Sequence, residues 1–221
     1  MRFVVVFSLL ILMTTTSARP LPLPHTKQES LISEIYKNLN AFKASSKDRK
    51  SVTEAGGAPT YGEILPSSVS HLISYLDIKQ KDVFYDLGSG NGKVPLQFYL
   101  TTFIKKSVGV ELSDYRHNQA MKAKLRAGKK GVLTPGRSLQ YIHGDILKID
   151  FSDATIVYLC STCYTPEMMT VLQEKISHLR KGAKIITLKE FSENNKLKLI
   201  KELELPMTWS KSTSVYIYEV V

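Results

Sequence analysis

The residues best suited to chemistry lie in "YDLGSGNGK", Tyr85 to Lys93, where an aspartate and three glycines follow an apolar run. Glycines after a strand leave the backbone bare, so a ligand can approach the chain closely. Three common nucleotide sites use such turns, and spacing separates them. A dinucleotide site needs G-x-G-x-x-G; Gly88 and Gly90 fit, but Lys93 holds the third position and Gly92 comes one residue early. A phosphate-cradling P-loop needs a glycine where Leu87 stands and a hydroxyl where Val94 stands. Neither phosphate site survives. D-x-G-x-G-x-G at a strand tip remains.

Two further groups invite a chemical reading. Cys160 and Cys163 form C-x-x-C at the junction of an apolar strand and a helix, a position where thiol pKa values fall. That admits a thiol redox site, or simply two small buried residues. Zinc needs about four ligands, and no second pair completes such a set. From Tyr115 to Gly144 there is no acid, while Arg116, Lys122, Lys124, Arg126, Lys129, Lys130 and Arg137 crowd together. They make either a solvated helix face or a surface for an acidic partner such as a nucleosome or nucleic acid. His71, His117, His143 and His178 have neither triad nor ligand spacing and read as structural.

The elements that position these groups alternate. "DVFYDL", "SVGVEL", "ATIVYL" and "AKIITL" read as buried parallel strands. "PSSVSHLISYL", opened by Pro66, reads as a helix before the first of them. "KVPLQFYLTTF", the stretch around His117 to Arg126, and "TPEMMTVLQEKISHLRKG" read as helices between them. The expected fold is therefore a doubly wound, Rossmann-like α/β domain. "LPMTWS" and "SVYIYEVV" suggest a closing antiparallel hairpin. Ser30 caps a helix carrying Leu31, Ile32, Ile35, Tyr36, Leu39 and Phe42, and "KASSKDRKSVTEAGGAP" after it reads as a mobile loop.

At its strand tip the glycine motif resembles motif I of class I S-adenosylmethionine-dependent methyltransferases. That cofactor lacks phosphates and carries a sulfonium, an amino-acid end and a ribose. Asp86 can neutralise the ammonium, and Glu111, closing the second strand, can accept both ribose hydroxyls. Asp145, in "HGDIL", lies where that family grips the adenine amino group.

"YGEI" at Tyr61 to Ile64, then "VFYDLGSGNGK", "VGVE" and "GDIL", follow an order that resembles the histone-lysine methyltransferases named for disruption of telomeric silencing. Those enzymes use a seven-strand fold rather than a SET domain. The resemblance covers roughly residues 61 to 188. It implies that Tyr61, Gly62, Glu63 and Ile64 lid the cofactor. It implies also that Asp86, Gly88, Ser89, Gly90, Asn91, Gly92 and Lys93 cradle it, and that Glu111, Asp145 and Ile146 fix its nucleoside. No metal is implied. The family places threonine where Ile64 stands and glutamine where Lys93 stands. It has an N-N-F-type sequence where this chain reads "CSTCY", and nucleosomal enzymes add a basic C-terminal extension. Cofactor binding therefore transfers better than substrate identity.

The resemblance implies a protein partner with an accessible lysine, a histone or nucleosome. A lysine must shed a proton before attack, since its free pKa is about 10.4, and apolar, aromatic walls favour the neutral amine. Tyr61, Tyr164 and Phe191 are candidate walls, with Ser161 or Thr162 orienting the nitrogen. "CSTCY" lacks the N-P-P-Y-type motif that amino methyltransferases use on a flipped base. A small-molecule or nucleic-acid acceptor, cofactor binding without turnover, and C-x-x-C redox chemistry are the alternatives.

The chain has 221 residues, 43% hydrophobic, with a net charge of +10. "MRFVVVFSLLILMTTTSARP" fits a secretory signal over residues 1–18, its apolar run being shorter than the about 20 residues of a membrane span. A short anchor is the rival, so the expectation is export or membrane anchorage. Residues 19–58 then form a linker, extended at Pro20, Pro22 and Pro24, and the N-terminal helix; residues 59–221 form the methyltransferase domain.

Overall fold

The apolar run ahead of the glycines becomes β1, Val83–Leu87, buried along its whole length as a central parallel strand must be. A computed structural model describes residues 25–43, 45–56 and 60–221; the leader and most of the proline connector lie outside the described residues. Parallel strands β2 (Lys106–Glu111) and β4 (Ile156–Leu159) flank β1. β3 (Ser138–His143) extends the sheet beyond β2, and β5 (Lys184–Thr187) extends it beyond β4. Two antiparallel strands finish it: β7 (Thr213–Val220) inserts between β5 and β6 (Leu197–Leu205). The seven strands run β3-β2-β1-β4-β5-β7-β6. The winding reverses between β1 and β4, and ligands of open α/β sheets bind at the carboxyl ends beside such a reversal.

Helices α3 (Pro66–Tyr75) and α4 (Lys93–Thr101) cover one face, where Phe84 and Phe98 stack with ring centres 3.8 Å apart. On the other face lies α6 (Pro166–Ser177), burying Leu172 and Ile176 completely. Each such side chain contributes about 1.5–3 kcal/mol. A third apolar cluster joins α1 (His25–Ile35) and α5 (Asp114–Lys129) to α4 and β3.

Three expectations need correction. The segment expected as a mobile loop contains α2, Ser46–Glu54, because Ser45 and Asp48 form a reciprocal capping box. The first arm of the hairpin is Leu197–Leu205, and "LPMTWS" is the connection. That strand is an exposed edge, and its Lys and Glu residues suit an edge better than a buried alternation would. The N-terminal helix starts earlier and stops at Ile35, so Ser30 lies inside it rather than at its cap. Asn38, with φ 63°, turns the chain away.

Candidate active site

The glycine turn is stitched to the end of β2. Gly88 N and Ser89 N both donate to Val110 O, at 2.9 and 2.8 Å. Gly90 N and Ser113 N each donate to a different oxygen of the Glu111 carboxylate at 2.8 Å. At the start of α4, Gly92 takes φ 81°, and the Tyr141 ring fills the place a Cβ would need. Tyr141 also donates to Gly92 O at 2.7 Å, as Tyr36 does to Asn91 O at 2.9 Å. Tyr61 and Tyr164 press on the turn at Gly90 and Gly88, and the Tyr164 hydroxyl donates to Leu87 O at 2.5 Å.

Asp86 is 2% exposed, and its Oδ1 has no hydrogen-bond partner. Burial, and then the nearby charge of Glu111, push its carboxyl well above the usual range. Burial also raises Glu111, against the opposing pull of the Ser113 N–H, Arg116 and the Gly90 N–H. Two carboxylates taken out of water, one with an unmet acceptor, signal a missing cationic or donor group.

Over this turn runs the segment 60–64. The Tyr61 hydroxyl donates to Glu63 Oε1 at 2.8 Å, and Lys93 Nζ donates to Glu63 Oε2 at 2.6 Å. So Lys93 ties the lid to the glycine turn. The Arg116 guanidinium lies 4.5 Å from the centre of the Tyr61 ring. From the β6–β7 connection, Thr208 N donates to Glu63 O, Glu63 N donates to Thr208 Oγ1, and Ile64 bridges Met207. The Trp209 ring sits where Gly62 would carry a Cβ, so this close approach requires the glycine.

Between turn and lid lies a cavity of about 420 Å³, within the range of small-molecule sites. Glu111, Asp145 and Ile146 line its floor, and Val52 of α2 with Ala55, which caps that helix, closes one side. Asp145 accepts from Leu147 N at 2.9 Å, with Lys148 Nζ at 3.4 Å. Thr162, Tyr164 and Trp209 line the part beyond β4. Ile64 and Ser89, together with Lys93, line a smaller adjoining cavity that also reaches Asp86.

Not every candidate joins this group. Ser161 is fully buried; it contacts Thr187 Oγ1 at 2.9 Å and accepts from Leu188 N and Lys189 N, both at 3.0 Å. It joins two strand ends and does not line the cavity. Phe191 packs on Tyr218 inside the core rather than forming a wall. Burial, and then the charge of Asp86, push the Cys160 thiol up to about 12, opposite to what thiolate redox chemistry needs.

The basic stretch is largely spent inside the molecule. Arg126 donates to Ile35 O and Lys37 O, and Lys130 pairs with Glu34. Arg137 donates to three carbonyls, those of Tyr99, Thr102 and Ile104, and Arg116 donates to Ala41 O. Lys122 and Lys129 are exposed and Lys124 is half-buried. α2, Tyr141, Tyr158, Thr208 and Trp209 escaped the sequence reading. The S-x-x-D spacing of Ser45 and Asp48 was the available signal for α2. Trp209 reaches the lid from so far along the chain that no local pattern marks it.

Asp86 offers an unmet acceptor to an ammonium, and each Glu111 oxygen keeps a lone pair for a hydroxyl. These residues fit S-adenosylmethionine. Fold and site together define the Rossmann-like fold of class I methyltransferases. A Salinibacter ruber RNA methyltransferase, solved in complex with S-adenosyl-L-homocysteine, shares that fold at 22% identity and a TM-score of 0.53, over 70% of this chain and 90% of that one.

The chain belongs to the family described as "Histone methylation protein DOT1", whose model matches residues 44–219. It is 33% identical over 148 residues to a Caenorhabditis elegans histone-lysine N-methyltransferase, H3 lysine-79 specific, covering 62% of this chain and 15% of that protein. An enzyme of the same description from Emericella nidulans is 31% identical over 180 residues, covering 77% and 34%. The chain thus spans about a third or less of the length of these relatives.

Proposed function

We propose that the chain is an S-adenosylmethionine-dependent protein-lysine N-methyltransferase of the non-SET, histone-modifying type. The observation that carries this is the buried, unpartnered carboxylate oxygen of Asp86, which lines a small cavity sharing Tyr61, Gly62, Gly88 and Cys160 with the cavity of about 420 Å³ at the sheet's switch point; membership of the family supports it. Asp86 would hold the amino-acid end of the cofactor and Glu111 its ribose, with Asp145 and Ile146 at the base. The cofactor, when bound, supplies a methyl group on a positively charged sulfur.

The chain's own residues do the rest. Tyr61, Tyr164, Met168 and Trp209 wall the cavity with aromatic and apolar surface, which disfavours an ammonium and so lowers the pKa of an entering lysine. Thr162 lines the same cavity, and its hydroxyl would orient that amine. The lid excludes water, and alignment of the reacting groups supplies the remaining acceleration. Lys122, Lys124 and Lys129 would meet the acidic surface of a histone partner. Export or anchorage through residues 1–18 belongs to this proposal, supported by their composition alone; N-terminal sequencing of the mature chain tests it.

Methyl-labelled cofactor incubated with core histones, nucleosomes and whole lysate, followed by mass spectrometry, tests the acceptor. Label on lysine side chains is expected. Label confined to nucleic acid or metabolites would remove the lysine reading.

A further inference from the structure

β1 and β4 bring Asp86 and Tyr158 to the same register position, so both side chains leave the same face of the sheet. Each is 2% exposed, and each carries a buried oxygen without a hydrogen-bond partner, Asp86 Oδ1 and Tyr158 Oη. Buried polar atoms are almost always satisfied, so two orphans side by side point to one missing group. A cavity of about 30 Å³ lies against both, and Cys160 and Tyr61 line it as they line the larger cavity. Such a space holds a small polar head and nothing larger. The Cys160 thiol beside the phenol is too weak an acceptor to satisfy it. Burial, then Cys160 and Asp86, raise the Tyr158 pKa well above the ordinary value, so the phenol keeps its proton and is a donor. A donor beside an acceptor-only carboxylate complements a group that is itself both carboxylate and ammonium.

We propose that Tyr158 is a second anchor for the amino-acid end of the cofactor, donating to its carboxylate while Asp86 accepts from its ammonium. This rests on the methyltransferase reading above. Tyr158 has no place among the residues implied by the glycine motif or the lid, and it sets how tightly the head group is gripped.

Tyr158→Phe tests it, with two ligands that share a nucleoside. S-adenosylhomocysteine has the amino-acid end; 5′-methylthioadenosine lacks it. By calorimetry, Tyr158→Phe should weaken S-adenosylhomocysteine by roughly tenfold or more, the loss of one charge-assisted hydrogen bond, and leave 5′-methylthioadenosine unchanged. The ligand-free variant should melt at or above the wild-type temperature, because the change removes an orphaned buried hydroxyl. Wild-type affinity for S-adenosylhomocysteine, or equal loss of both ligands, would overturn the inference. Failure of the wild-type protein to bind S-adenosylhomocysteine would instead remove the methyltransferase reading and this inference with it.

Discussion

The wall supplied by α2 hangs on one carboxylate. Asp48 accepts from Ser113 Oγ at 2.9 Å, Tyr115 N at 3.2 Å and Ser45 N at 3.2 Å, and it contacts Ser45 Oγ. Burial alone would raise its pKa, but the hydrogen bonds from Ser45, Tyr115 and Ser113 outweigh burial and hold it at about 2, below the ordinary 3.8. That difference corresponds to about 2 kcal/mol of preference for the charged form. Asp48→Asn keeps the shape and removes the charge, so it should forfeit about that much. A helix of nine residues is marginal by itself, and the loss should fall on its docking rather than on the sheet. The opening equilibrium of residues 46–54 should then shift by roughly thirtyfold. Hydrogen exchange read by mass spectrometry measures this directly: amides of α2 should exchange faster by that factor, while those of β1 and β4 should not. Because Val52 and Ala55 line the cavity, cofactor affinity should fall as well. The folded pKa is the depressed one, so this stability is present above pH 3.8 and is lost as pH falls toward 2. Wild-type α2 should therefore loosen only in that acid window. Unchanged exchange in α2 of Asp48→Asn would refute the reasoning.

Gly92→Ala must adopt φ 81° and displace the Tyr141 ring; a cost of about 2 kcal/mol should lower Tm by roughly 4–8 °C in calorimetry. Burial, and then the charge of Glu111, raise the folded pKa of Asp86, so it holds a proton more tightly in the ligand-free protein than in the unfolded chain. Its contribution to stability is then full below the unfolded value and fades as pH rises through the folded one. Binding a cationic ligand should release a proton, which titration calorimetry in buffers of different ionisation enthalpy detects. Ser161→Ala leaves the Leu188 N–H without its acceptor and the Lys189 N–H with only Thr187 Oγ1 at 3.3 Å; about 1–3 kcal/mol of stability should go, by urea titration, while activity per folded molecule stays. Cys160, with its thiol near 12, should be about one part in 10⁴ thiolate at pH 8 and resist a maleimide; rapid labelling at that residue would restore the redox alternative.

Four of the five parallel strands were legible because each is a short apolar run bounded by turn residues, and the glycine turn because its spacing excludes the phosphate sites. β3, "SLQYIH", is half polar with only alternate residues buried, and it was not read as a strand. Glu111 and Asp145 followed from their places at strand ends. What escaped depends on distant partners. "SKDRKSVTE" has one valine to mark an apolar face, so helical periodicity is nearly silent, and its order comes from Asp48 meeting the start of α5. Arg116 and Arg137 look like surface cations in sequence, yet carbonyls at loop and helix ends use them. Ser161 was placed near the amine from its position after β4, whereas its hydroxyl turns inward to satisfy two N–H groups. "LKLIKELEL" mixes charge and apolar residues as an exposed edge does, and only its pairing with β7 identifies it as a strand. The lid is legible as "YGEI", but its pinning by Thr208 and Trp209 is a tertiary fact.

The most direct test of the account is a crystal structure with S-adenosylhomocysteine at saturating concentration. The account predicts the ligand in the cavity between the glycine turn and the lid, its amino-acid end at Asp86 and its ribose hydroxyls on Glu111. A ligand bound elsewhere, or Asp86 and Glu111 left without contact to it, would contradict the account.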